Sequence, residues 1–216
     1  MSNEITDLVF ILDKSGSMSG LESDTIGGYN SLLEKQKDDD GRCRVTTVLF
    51  DHEYKLLHDM VDIHDVAKLT ERDYCAGGNT ALLDAVGRTL NKVERFQTGA
   101  DSEKRAEKVM FVIITDGMEN ASREYSSDKI KKMIERRKTE NGWEFVFLGA
   151  NIDAVETAAC YGIDASRAAD YHADGRGTRL NFTVMNEAVR SFRKVGRLDS
   201  SVLKEIRSDG KRRGGK

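Results

Sequence analysis

The chain has 216 residues, enough for one domain with a substantial core. Apolar residues make up 38% and charged residues 33%, with 34 basic side chains against 37 acidic ones and a formal charge of -3. That balance argues against a nucleic-acid or membrane-surface protein, and no stretch nears the roughly 18 apolar residues of a membrane span. Met1 to Asp7 lacks the basic start and apolar run of a signal peptide. Three widely spaced cysteines, Cys43, Cys75 and Cys160, give neither a disulfide framework nor a zinc-ligand spacing. Together these features predict a cytoplasmic protein with reduced thiols. Proline is absent, so glycine and Asx residues must mark the element boundaries.

The apolar run 5–12 predicts a buried strand, and Leu21, Ile26, Tyr29, Leu32 and Leu33 follow at helical spacing. Gly27-Gly28 inside that helix costs propensity, which close packing on the sheet would explain. Asp38-Asp39-Asp40-Gly41 ends the unit. Residues 44–50 form a second strand. The short link Asp51-His52-Glu53 leads to a third near 54–60, and such a link suits an antiparallel hairpin. A polar connection over 63–79, with a short helical turn, ends in Gly77-Gly78-Asn79. Leu82, Leu83, Val86, Leu90 and Val93 predict a helix, and 108–115 a fourth strand. Ile130, Met133 and Ile134 mark another helix, Trp143 to Leu148 a fifth strand, 152–160 a helix and 168–172 a short edge strand. Phe182, Met185, Val189 and Phe192 predict a final helix. Strand–helix alternation with continuously apolar strands indicates an α/β, doubly wound, mostly parallel sheet covered on both faces. Residues 1–200 form the domain, and 201–216, strongly basic after Ser208, form a flexible, solvated tail.

Three segments carry chemistry. They are Asp13-Lys14-Ser15-Gly16-Ser17 after the first strand, Gly77-Gly78-Asn79-Thr80, and Thr115-Asp116-Gly117 after the fourth. In an open α/β sheet, loops at the carboxyl ends of neighbouring strands converge. Ser15 and Ser17 lie two apart in a turn, so both hydroxyls can face one ion while Gly16 lets the backbone bend. Asp13 and Asp116 add negative charge. Oxygen donors of this kind suit a hard divalent cation, Mg²⁺, with Mn²⁺ or Ca²⁺ as substitutes. Taken singly, each segment is an ordinary turn or helix cap. Their joint occurrence favours the metal.

The pattern resembles the von Willebrand factor type A (vWA) domain and its metal-ion-dependent adhesion site, Asp-x-Ser-x-Ser, then Thr, then Asp. These stand here as Asp13, Ser15, Ser17, Thr80 and Asp116, and the resemblance spans roughly residues 5–195. The segments 25–30 and 147–151 resemble a stand-alone, intracellular bacterial branch. The resemblance implies a six-stranded, Rossmann-like sheet of order 3-2-1-4-5-6 with the third strand antiparallel, in accord with the hairpin at 44–60. It also implies that Ser15, Ser17 and Thr80 contact the metal while Asp13 and Asp116 act mostly through water. The expected function is a divalent-cation-dependent protein-binding module, not an enzyme. Its partner presents an Asp or Glu carboxylate, alone or within an ATPase-linked or stress-related assembly. Where the family often has Pro after the site Thr, this chain has Ala81, which loosens the loop without removing a ligand.

The alternative is a metal-assisted phosphatase or hydrolase. A haloacid-dehalogenase-like mechanism needs a second acid two residues after Asp13, and that place is Ser15. His52, His58, His64 and His172 offer no evident base for a serine nucleophile. Asp84 reads either as a group approaching the site or as a helix-start carboxylate. Glu119, Asn120 and Arg123 read either as a specificity rim or as loop polars, and Asn151 as the cap of the following helix.

Overall fold

The computed structural model describes residues 4–214. Six strands, β1 (Ile5–Asp13), β2 (Arg42–Phe50), β3 (Tyr54–Asp62), β4 (Lys108–Asp116), β5 (Glu144–Ala150) and β6 (Ala168–Asp170), form one sheet in the order β3-β2-β1-β4-β5-β6. Only β3 is antiparallel. The helices are α1 (Glu22–Lys37), α2 (Leu82–Gly99), α3 (Ser127–Asn141), α4 (Ala154–Cys160), α5 (Gly175–Val195) and α6 (Lys204–Arg212). This is the doubly wound topology expected from the strand–helix alternation. Among the described residues no helix is long and apolar enough to cross a membrane.

Alternation along the central strands builds two cores. Leu8, Phe10 and Leu12 of β1 face α1 and α5 with Met110, Val112 and Ile114 of β4, while Val9 and Ile11 face α2 with Phe111 and Ile113. Both faces are covered, hence the unbroken apolar runs. The expected close packing holds at Gly28, where an added Cβ would lie 2.3 Å from the Phe182 ring. At Gly27 a Cβ would meet nothing within 4 Å, so that glycine is not explained by packing.

Helix boundaries follow local chemistry. Ser126, Asp153 and Asp174 each accept a backbone N–H at the start of α3, α4 and α5, and Gly142 and Gly196 end α3 and α5 in the left-handed region. Four expectations need correction here. The cap of α4 is Asp153, not Asn151. The basic end is not a solvated tail over its described part, because Lys204–Arg212 is helical, with Leu203 and Ile206 buried. Arg207 donates to the Ala168 carbonyl at 2.9 Å, and Arg213 pairs with Asp174. Consequently α5 is not the last helix. The edge strand is also shorter than 168–172.

Register sets the site's position. Leu12 of β1 lies opposite Ile114 of β4, and Asp116 opposite Ala150 of β5, so the loops leaving β1, β4 and β5 emerge at one level of the sheet.

Candidate metal centre

Asp13, the last residue of β1, is 1% exposed. Its Oδ1 accepts the Ser15 backbone N–H at 2.7 Å, closing a tight Asx turn. Its Oδ2 accepts the Thr115 hydroxyl at 2.7 Å and the Asp116 backbone N–H at 3.3 Å. One carboxylate therefore ties the first loop to the end of β4. The turn brings the Ser15 and Ser17 hydroxyls to 3.2 Å, and the Ser17 hydroxyl donates to the Asp116 carbonyl.

The second segment is laced to the first through backbone alone. Gly77 N–H donates to the Lys14 carbonyl at 2.8 Å, and Gly16 N–H to the Gly78 carbonyl at 3.0 Å. Gly78 sits at φ +75°, a conformation that favours glycine, and a Cβ there would also press on the exposed His52 ring, 2.3 Å from its Nδ1. Thr80, 4% exposed, follows two residues on. Its N–H donates to Asn120 Oδ1 at 2.9 Å, and its carbonyl accepts the N–H groups of Asn120 and Ala121 at 3.0 and 3.2 Å. Ala81 N–H donates to the Asp51 carbonyl at 2.8 Å. The loop without its proline is held by neighbours instead.

The third segment supplies those neighbours. Ala81 offers no side chain to cap α2, and the orphan N–H groups of Leu83 and Asp84 bond Glu119 at 2.9 Å and Ser122 at 3.0 Å across the gap. Asp84 returns the arrangement, accepting the backbone N–H groups of Arg123, Glu124 and Tyr125 at 2.9 to 3.0 Å. Asn151, at φ +56°, donates its side-chain amide to Asp116 Oδ1. From below, Tyr74 donates to the Asp13 carbonyl and Tyr171 to the Thr115 carbonyl.

Asp13, Ser15, Ser17 and Asp116 are thus joined by direct hydrogen bonds at one rim of the sheet, and the loop that carries Thr80 is bound to them through Gly77 and Gly78. Burial pushes the Asp13 carboxyl up, partly offset by hydrogen bonds from Thr115, Ser15 and Asp116. Burial also pushes Asp116 up, the Asn151 hydrogen bond opposes it, and the Asp13 charge adds to it. Neither carboxylate is ion-paired among the described residues, and the nearby cation Lys14 turns to Asp51. No three His, Cys, Asp or Glu side chains of the described residues gather as a metal-holding group, so a cation here would have to be held by two carboxylates and neighbouring hydroxyls. Such a set fits a hard divalent cation.

The profile of the von Willebrand factor type A domain matches residues 7–174. The chain belongs to the von Willebrand factor type A family. Domains of this vWA family are typically protein-interaction modules. Solved structures share the fold. The PilB minor pilin from Streptococcus sanguinis aligns at TM-score 0.60 and 10% identity, over 88% of this chain and 62% of that one. The ArnB paralog VWA2 from Sulfolobus acidocaldarius aligns at 0.55 and 18%, over 87% and 45%. A von Willebrand factor type A protein from Catenulispora acidiphila aligns at 0.56 and 12%, over 87% and 43%. The vWA chain spans less than two thirds of each of these proteins. No curated protein matches its sequence.

Sequence reasoning missed how the loops are held. Asn151 steadies Asp116, and Glu119, Asn120 and Asp84 knit the second loop to the third. Asn151 could have been suspected from its place at the end of the strand beside β4. The others bond backbone groups some forty residues away and leave no local pattern.

Proposed function

We propose that this vWA domain is a divalent-cation-dependent protein-binding module and performs no chemistry of its own. The observation that carries the reading is a pair of buried carboxylates, Asp13 and Asp116, with no ion-pair partner among the described residues and the Ser15 and Ser17 hydroxyls beside them. Burial of unbalanced negative charge is costly. A divalent ion removes that cost, with Mg²⁺ the first choice and Mn²⁺ or Ca²⁺ as substitutes. Ser15, Ser17 and Thr80 would hold it, and Asp13 and Asp116 would supply charge. A bound cation offers an exchangeable position to an Asp or Glu carboxylate of a partner protein.

The residues themselves position and preorganise. Asp13 is fixed by three hydrogen bonds, and Asp116 is steadied through Asn151, so little reorders when an ion arrives. A hydrolytic role lacks its machinery. Ser15 occupies the place of the second acid, and among the described residues no histidine is hydrogen-bonded to Ser15 or Ser17. Cys43, Cys75 and Cys160 are unpaired, in keeping with a cytoplasmic setting.

The test is calorimetric titration with Mg²⁺, paired with partner capture from native cells with and without EDTA. Asp13→Ala and Thr80→Ala should each abolish metal-dependent capture while leaving the circular dichroism spectrum unchanged. Capture that stays chelator-sensitive in both variants removes the proposal.

A further inference from the structure

Beside the clasped loops lies a hollow of about 520 Å³, lined by His52 and Asn79 on one side and by α2 and the loop after β4 on the other. It begins one residue from Thr80, since Asn79 precedes Thr80 and Asn120, which also lines it, bonds the Thr80 N–H. Its formal charges balance, but both of its carboxylates are already engaged. Asp84 takes three backbone N–H groups, and Glu124 is paired in a two-pronged contact with Arg88. Arg123 is different. Its guanidinium is exposed, lines the hollow, and has no hydrogen-bond or ion-pair partner among the described residues. The hollow therefore holds an unpaired guanidinium and no unengaged carboxylate among the described residues. The surface stays basic beyond it, where Lys92 and Arg95 follow Arg88 along α2.

We propose that the hollow receives a second acidic side chain of the partner, two residues along from the carboxylate at the cation, with Arg123 as its counter-charge. This rests on the cation-dependent reading above. An extended chain advances about 3.3–3.6 Å per residue, so a side chain two positions away reaches past Thr80 to the mouth of the hollow. Guanidinium matches carboxylate in a planar, two-pronged pair that neither His52 nor Asn79 could reproduce. The specificity is for a short acidic motif, not for one isolated acid. Because the pair is on the rim, its contribution is modest and weakens with salt.

The experiment uses the ¹⁵N-labelled full chain and three capped peptides, Gly-Asp-Gly-Glu-Gly, Gly-Asp-Gly-Gln-Gly and Gly-Asp-Gly-Gly-Gly, titrated by NMR in Mg²⁺ and in EDTA. In Mg²⁺ the Glu peptide should bind roughly two- to fivefold more tightly than the Gln peptide, shifting the Asn79, Ser122 and Arg123 amides. That advantage should disappear in Arg123→Gln and return only in part in Arg123→Lys, which restores the charge but not the two-pronged geometry. Equal Mg²⁺-dependent affinity for all three peptides overturns the hollow's role and leaves the cation reading standing. So does a Glu advantage that survives Arg123→Gln. Failure of every peptide to bind in Mg²⁺ sinks the cation reading itself.

Discussion

Asn151 and Asp84 act on the site through other groups, one through a side chain and one through backbone. Asn151 occupies the left-handed region, where asparagine is tolerated, and its amide reaches Asp116 Oδ1. Asn151→Gly keeps that backbone and removes only the amide. Loss of such an outer partner weakens metal binding by about 10-fold or more. Mg²⁺ affinity of Asn151→Gly measured by calorimetry should fall by that factor, with little change in melting temperature. Asp84 collects three N–H groups of residues 123–125. Asp84→Ala strands them in a partly buried loop, and chemical denaturation should show a loss of about 2–3 kcal/mol. The contrast with the five motif residues explains what could be read from sequence. Asp13, Ser15 and Ser17 sit two apart, so their chemistry shows in one short stretch. Asp84 lies at the first turn of a helix, where carboxylates are common for electrostatic reasons alone. Its function becomes visible only once the loop after β4 is placed against it.

Strands and helices were legible wherever burial imposed a period. The central strands are apolar on both faces, and α2 and α5 carry clear stripes. The last helix, α6, escaped because only Ile206 within it, with Leu203 just before, is buried and apolar. Its other ties are polar, among them Arg207 to the Ala168 carbonyl, Arg213 to Asp174, Arg176 to Asp209 and His172 to the Gly210 carbonyl, and no hydrophobic pattern announces them. Close packing makes its own prediction at α1. Gly28→Ala drives a methyl into the Phe182 ring, and such overpacking costs about 1–3 kcal/mol. Phe182→Leu in the same chain should recover part of that loss, giving a non-additive cycle in urea denaturation. Another element-level test concerns β3. His58 is buried with its Nδ1 3.0 Å from the Thr47 hydroxyl, and burial lowers its pKa, against the opposing pull of the Ala67 backbone hydrogen bond and the Asp73 charge. The folded state therefore holds fewer protons than the unfolded state just below the ordinary value of 6.5. Its contribution is present above that value and is lost as pH falls toward the lowered one. Unfolding free energy should decline as pH drops below about 6.5, and His58→Gln should flatten that decline.

At the scale of the molecule, the question is whether the clasped loops depend on the far edge of the sheet. Most of the loops' hydrogen bonds come from the ends of β1, β4 and β5, from α2 and from each other, toward the centre of the strand order. The edge is a three-residue strand, β6, and α6 lies over it, with Arg207 reaching the Ala165 and Ala168 carbonyls. Short, covered edges limit unwanted strand pairing. Removing residues from Lys204 onward strips Ile206, exposes Leu203 and uncovers that edge. Burying each such side chain is worth about 1.5–3 kcal/mol, so a stability loss of about 3 kcal/mol is expected. For a chain of this size that lowers Tm by roughly 6–12 °C. Mg²⁺ affinity should change less than about twofold, because no hydrogen bond of the site is lost with α6. One thread could carry the effect inward. Tyr171, just past β6, donates to the Thr115 carbonyl, and Thr115 holds Asp13. If truncation weakens Mg²⁺ binding in step with Tm, and Tyr171→Phe in the intact chain reproduces the weakening, the edge and the site are coupled through that hydroxyl. If affinity holds while Tm falls, α6 stabilises the fold alone, and the loops form an independently preorganised rim.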